Sequence, residues 1–302
     1  MKTQDGMLAV PGGMVWYRKN GIDTTGLPLL VLHGGPGATS NYLENLTELA
    51  DQRPVVFYDQ LGSGRSERPD ITDLWTLERF VEELAVVRAA LSLNDLVLLG
   101  QSWGALLAVA YLLARGTDGV RGLILSGPLL SVPQWAKDQR ALLRQMPLKI
   151  RQAVDHAESR GDFGSADYQA AMDAYYRKHL CRLNPWPACL LQTFEEMGAD
   201  VYQHMWGPSE FTCTGSLATV NLLPRLEELA LPVLITCGRY DEALPATCET
   251  YKCHIVGAEL AVFEDASHTH HLEQPEAYLA AVRSFLDQIA ANPAQIVVRS
   301  SV

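Results

Sequence analysis

Ser102, Asp241 and His268 are the residues whose types and settings could together carry out covalent chemistry. A serine hydroxyl is a weak nucleophile at neutral pH. It needs an imidazole to take its proton and an acid to hold that imidazole in the right tautomer. Ser102 lies in Gly100-Gln101-Ser102-Trp103-Gly104, after the apolar run Leu96–Leu99 and before the helix-like stretch Ala105–Ala114. Strand, sharp turn and helix are the setting in which such a G-x-S-x-G pentapeptide exposes its serine oxygen, and the two glycines give the turn room. Asp241 follows the apolar run Pro232–Cys237, and His268 follows Glu259–Phe263, so each stands just past a strand-like segment. The chain order Ser, Asp, His also goes with this setting.

Acyl transfer further requires donors for the charge that develops on the carbonyl oxygen, and these are usually backbone N–H groups. The run Leu29–Leu32 leads into His33-Gly34-Gly35-Pro36-Gly37, where glycines let the backbone approach a substrate closely. The expected oxyanion donors are the N–H of Trp103 and that of Gly35, with Gly34 the alternative in the same loop. The His33 ring is expected to prop this loop. Asp59 and Arg65, in the glycine-containing segment Phe57–Ser66, are assigned to a turn network, because no phosphate-loop pattern accompanies them.

The segments HGGPG (33–37), FYDQLGSGRS (57–66) and GQSWG (100–104) together resemble the proline iminopeptidase family, serine aminopeptidases of the α/β-hydrolase superfamily. Asn184-Pro185-Trp186-Pro187, Met205–Thr212 and Tyr240-Asp241-Glu242 are similar to segments of its tricorn-interacting aminopeptidase branch. The likeness runs from about Val10 to Leu286, and its GPSEFT and YDE segments are the more discriminating. It implies release of N-terminal amino acids, proline or other small or apolar residues, through an acyl-enzyme. The same triad would also serve an amino-acid amidase, an esterase or a lactone hydrolase. The resemblance implies that Glu210 and Glu242 hold the substrate's ammonium group and that Trp206 lines the pocket; read alone, either glutamate is an ordinary exposed acid. The chain departs from the pattern at Asn41, where relatives often carry an acid, and at His270 and His271, where they usually carry apolar or aromatic residues. These two histidines are expected on the surface or facing the cap, not on a metal.

The elements that must position these groups are legible as well. Met14–Tyr17, Leu29–Leu32, Val55–Tyr58, Leu96–Leu99, Leu123–Ser126, Val233–Cys237 and Leu260–Phe263 are strand-like, most of them separated by helical stretches. That alternation predicts an α/β-hydrolase core, a mostly parallel sheet flanked by helices, from residues 1–130 and 227–302. Residues 131–226 change to helices and loops and are expected to form an inserted helical cap, with Trp186 in its core. A net charge of −11 and a pI near 5.2 argue against a nucleic-acid partner, which would need a basic face. The N-terminus lacks the apolar stretch of a signal peptide, and no run is long enough to span a bilayer. The expectation is a cytoplasmic enzyme acting on a small-molecule or short-peptide substrate with a free amino group, without metal or organic cofactor. Its six cysteines contain no C-x-x-C pair and are read as reduced thiols. The tail Ile296–Val302 is read as loose, and nothing in the sequence fixes an oligomeric state.

Overall fold

Strands buried on both faces need apolar side chains at consecutive positions, and the short runs found in the sequence meet that need. In the computed structural model, which describes residues 1–291, they form a single sheet; the tail Ile296–Val302 lies outside the described residues. The strands are β1 (Thr3–Val10), β2 (Gly13–Asn20), β3 (Leu29–Leu32), β4 (Val55–Tyr58), β5 (Leu96–Gln101), β6 (Val120–Ser126), β7 (Val233–Gly238) and β8 (Glu259–Phe263). They lie in the order β1-β2-β4-β3-β5-β6-β7-β8. β2 runs antiparallel to both β1 and β4, and every other neighbouring pair is parallel.

Alternate residues of each central strand enter opposite cores, as the two-residue period of a strand requires. Leu30, Leu32, Leu96 and Leu98 pack on one face with α1 (Leu77–Ala90) and α2 (Trp103–Arg115). Leu29, Val31, Val97 and Leu99 pack on the other. Five helices fall between β6 and β7: α3 (Val132–Arg144), α4 (Leu148–Arg160), α5 (Ala166–His179), α6 (Ala188–Glu195) and α7 (Ala199–Met205). The first three share a small core of their own around Leu142, Val154 and Tyr175. The chain then returns to the sheet through β7, α8 (Pro245–His254), β8, the short α9 (His270–Glu273) and α10 (Pro275–Ala291), whose Tyr278, Val282 and Phe285 close the second core. Because β3, β5, β7 and β8 are parallel, the loops after them gather at one edge of the sheet, the usual place for a site in such folds. The loops that follow these four strands carry Gly35, Ser102, Asp241 and His268.

No helix among the described residues is long and apolar enough to cross a membrane. All six cysteines are free.

Candidate active site

The turn between β5 and α2 holds Ser102 at φ 56°, ψ −117°, a conformation that costs a non-glycine residue about 1–3 kcal/mol. Its neighbours impose it. A Cβ on Gly100 would stand 2.2 Å from the Gly104 carbonyl oxygen, and one on Gly104 would stand 2.2 Å from that of Leu32. Only glycine fits at either position, so strand and helix approach closely enough to force the serine outward. The Ser102 N–H donates to the Ser126 carbonyl at 2.9 Å, tying the turn to β6.

Asp241 and His268, from the ends of β7 and β8, meet at 2.7 Å between Oδ1 and Nδ1. The Asp241 carboxylate also accepts the backbone N–H groups of Ala243 at Oδ1 (2.8 Å) and Gly238 at Oδ2 (3.0 Å). Burial opposes its charge, but the rings of His268 and His270 outweigh that and hold its carboxyl below the usual range. Burial also disfavours a charged His268, yet Asp241, by charge and hydrogen bond, and then Glu242 and Glu210 lift the ring to about 9. With Nδ1 committed to Asp241, Nε2 is the nitrogen left for a serine proton. Ser102 and His268 line the same cavity, of about 390 Å³.

The loop after β3 lies against the nucleophile: a Cβ on Gly34 would be 3.2 Å from that of Ser102. One expectation is corrected here. The Gly34 N–H donates to the Tyr42 hydroxyl at 2.8 Å, so it is not free to meet an oxyanion. Gly35, at φ 111°, lines the cavity. Trp103 is the first residue of α2, where a backbone N–H has no partner within the helix. Its indole is buried and donates to Gln60 Oε1 at 2.9 Å. Gln60 in turn grips the loop, since its backbone N–H donates to His33 Nε2 and its side-chain amide to the His33 carbonyl. Asp59 ties the loop's far end, accepting from Ser40 N–H and Oγ at Oδ1 and from Arg65 N–H and Nε at Oδ2.

Across the cavity, the segment after α7 brings Glu210 to the wall, where Trp135 Nε1 donates to Oε1 at 3.0 Å and the Tyr202 hydroxyl to Oε2 at 3.2 Å. Glu242 lines the same wall, 2 % exposed, and its Oε1 has no hydrogen-bond partner. Burial raises the carboxyl of Glu210, and burial together with the charge of Glu210 raises that of Glu242 well above the usual range. No Lys or Arg is among the described residues that line the cavity. The half-buried Glu210 and the buried Glu242 thus face one cavity in which His268 is the one basic side chain among the described lining residues. Trp206 also lines the cavity, its indole nitrogen donating to the Ser209 carbonyl at 3.0 Å.

Sequence reasoning missed Tyr42 and Trp135. The Tyr42 hydroxyl joins the glycine loop to the nucleophile's neighbour by donating to Gln101 Oε1 at 2.5 Å. The Trp135 ring lies edge-on to His268, with centroids 5.8 Å apart. No local pattern marks either residue, because both act by tertiary contact. Asn41, the departure noted above, donates to Glu196 Oε2 at 2.8 Å and so ties the loop to the end of α6. His270 and His271 are a second correction. Expected at the surface or facing the cap, both are fully buried, because α9 turns them beneath the loop and not outward. Burial, and then the neighbouring His270, push His271 down to about 3, and its Nε2–H donates to the Tyr42 carbonyl at 3.0 Å.

Comparison with known proteins bears on the family and the fold. A sequence profile described as the alpha/beta hydrolase fold matches residues 28–275. A proline iminopeptidase of Heyndrickxia coagulans is 42% identical over 286 residues, covering 94% of this chain and 99% of that protein. The crystal structure of VinJ superposes with a TM-score of 0.90 at 33% identity, over 95% of this chain and 99% of that one. That of proline iminopeptidase from Mycobacterium smegmatis does so with a TM-score of 0.88 at 34% identity, over 95% and 98%.

Proposed function

This chain belongs to the proline iminopeptidase family of α/β-hydrolases, and on that footing we propose that it is a serine aminopeptidase releasing N-terminal proline, or another small apolar residue, from peptides or amides. The observation that carries the reading is the pair Glu210, half-buried, and Glu242, buried, with no Lys or Arg among the described lining residues, in the wall of the cavity that also holds Ser102 and His268. A buried charge of this kind is tolerated when a partner of opposite sign completes it, and a substrate ammonium is that partner.

The chemistry then proceeds in two halves. The substrate enters beneath the helices of residues 131–226, which act as the cap, with Trp206 beside its first residue. Ser102 Oγ attacks the carbonyl carbon while His268 Nε2 takes the hydroxyl proton and Asp241 steadies the imidazolium. The oxyanion is met by the N–H groups of Gly35 and Trp103. The carbon–nitrogen bond breaks as His268 returns its proton to the leaving amine. Water, deprotonated by His268, attacks the acyl-enzyme, and Ser102 leaves with that proton as the free amino acid forms.

The test is kcat/KM on prolyl, alanyl and phenylalanyl anilides, their N-acetylated forms, amino-acid amides and an aryl ester. Free-amine anilides are expected to lead, and Glu210→Gln or Glu242→Gln to lower their turnover by roughly 30-fold or more, the cost of unpairing a buried charge. Acetylated and ester substrates should change little. Equal losses on both sets, or a wild type that prefers esters or lactones, would leave a serine hydrolase without an amine site.

A further inference from the structure

His270 is used by nothing in the mechanism above, yet it is fully buried and every polar atom of its ring has a neighbour. Its Nδ1 stands 3.2 Å from the Ser267 carbonyl oxygen and 3.5 Å from Asp241 Oδ2. Both are acceptors, so Nδ1 carries the proton. Its Nε2 lies between two hydroxyls, Ser126 at 3.0 Å and Thr236 at 2.9 Å, and the Tyr278 hydroxyl donates to Ser126 Oγ at 3.1 Å. The ring stacks on Phe263, 5.4 Å between centroids at 17°. Each oxygen of Asp241 thus has one backbone N–H and one imidazole beside it: His268 hydrogen-bonded at Oδ1 at 2.7 Å, and His270 in looser contact with Oδ2 at 3.5 Å, its Nδ1–H shared with the Ser267 carbonyl.

We propose that His270 is a positioning residue for the catalytic acid, bracing the second oxygen of Asp241 so that the first stays aligned on His268. The inference rests on the Ser102, Asp241 and His268 reading. Without His270, Oδ2 keeps only the Gly238 N–H, and a carboxylate held by fewer donors has more freedom to turn about its Cβ–Cγ bond and loosen its hold on the His268 tautomer. A second donor, itself locked by hydroxyls from β6 and β7 and by the Phe263 ring, removes that freedom. His270 also shares the carboxylate's charge. With its Nδ1–H facing Oδ2, it weakens the pull of Asp241 on the His268 proton. Its loss therefore raises the pH at which His268 becomes a base. The groups facing His270 are Asp241, His268, His271 and Tyr278. Those facing His268 are Asp241, Glu242 and Glu210, with the Trp135 ring edge-on, and the test leaves all of them in place.

Three substitutions separate this role from packing. His270→Phe keeps a ring against Phe263 and removes both nitrogens. His270→Asn sets an amide nitrogen at the place of Nδ1, and His270→Gln sets one at the place of Nε2. For His270→Phe and His270→Gln, kcat is expected to fall about tenfold with KM nearly unchanged, the scale on which outer hydrogen-bond partners of a working imidazole act. The acid limb of kcat/KM against pH should move upward by about half a unit in both. His270→Asn should restore the limb and most of kcat, whatever each variant does to Tm. If His270→Phe fails to fold, the Asn and Gln pair decides alone. An unmoved acid limb in the Gln variant, or equal rescue by Asn and Gln, would overturn the proposal. Wild-type turnover by Ser102→Ala would sink the triad, and the His270 role with it. Loss of turnover in Ser102→Ala together with an unmoved limb in the His270 series would sink His270 alone.

Discussion

Glu210 and Glu242 set a proton against an ammonium for one site. Two carboxylates that share a cavity wall away from bulk water do not both ionise readily, and burial with the charge of Glu210 lifts Glu242 furthest. Since its carboxyl is raised in the free enzyme and ionised in the complex, binding a free amine releases a proton. The sign follows: affinity is full above the raised carboxyl's range and falls as pH drops through it, by up to about tenfold per unit. Binding of prolinamide to the Ser102→Ala variant, which leaves the amide intact, measured below the ligand's own amine pKa, should weaken in this way, and calorimetry in two buffers of different ionisation enthalpy should register the proton. A pH-independent dissociation constant would contradict the shared proton, and adding Glu242→Gln should flatten the profile. At this scale the sequence told much about Ser102, Asp241 and His268, since each follows a strand that periodicity reveals. It told less about Gly34, whose N–H is occupied by a hydroxyl eight residues on, and nothing about the charge state of Glu242, which depends on burial.

At the scale of elements, the turn between β5 and α2 transmits backbone crowding to the nucleophile. Gly104→Ala would press a methyl group against the Leu32 carbonyl, where only 2.2 Å is free, and either α2 or β3 must retreat. The expected result is a loss of about 1–3 kcal/mol in stability, a few degrees in Tm, with kcat falling by far more than the lost stability explains. A variant that melts lower but turns over normally would show that the turn's tightness serves only packing. The buried strands were legible because both faces ask for apolar residues, whereas β1 was not. Its Thr3-Gln4-Asp5 start lies exposed at the sheet's antiparallel edge, where pairing with β2 and the intervening turn, not burial, define it. The same limit hid the fate of His270 and His271: a polar run after a strand reads as surface, and only the packing of α9 under the loop after β3 encloses it.

Over the whole molecule, charge favours one class of leaving group. The chain carries −11, and the described cavity lining holds carboxylates and His268 but no Lys or Arg. Once an ammonium sits between Glu210 and Glu242, that pair still leaves one net negative charge. The carboxylate of a free dipeptide, about 10 Å away, would feel roughly 0.4–1.7 kcal/mol of repulsion for effective dielectrics of 80 to 20. The rest of the described lining is apolar or uncharged, Met172, Leu190 and Phe194 among it, and Phe194 stacks on the Trp186 indole at 5.7 Å. Such a wall compensates no anion and instead favours an uncharged leaving group. Prolyl dipeptide amides should therefore exceed the matching free dipeptides by about two- to seventeenfold in kcat/KM, the rate equivalent of that repulsion. Added salt should narrow the gap, because a charge near the cavity mouth is screened within about 8–10 Å at 0.1–0.15 M ionic strength. Equal rates for amide and acid at low salt would mean that the carboxylate finds a cation outside the lining. The exposed Arg177, whose guanidinium lies 5.6 Å from the Trp186 ring, is the first to substitute in that event.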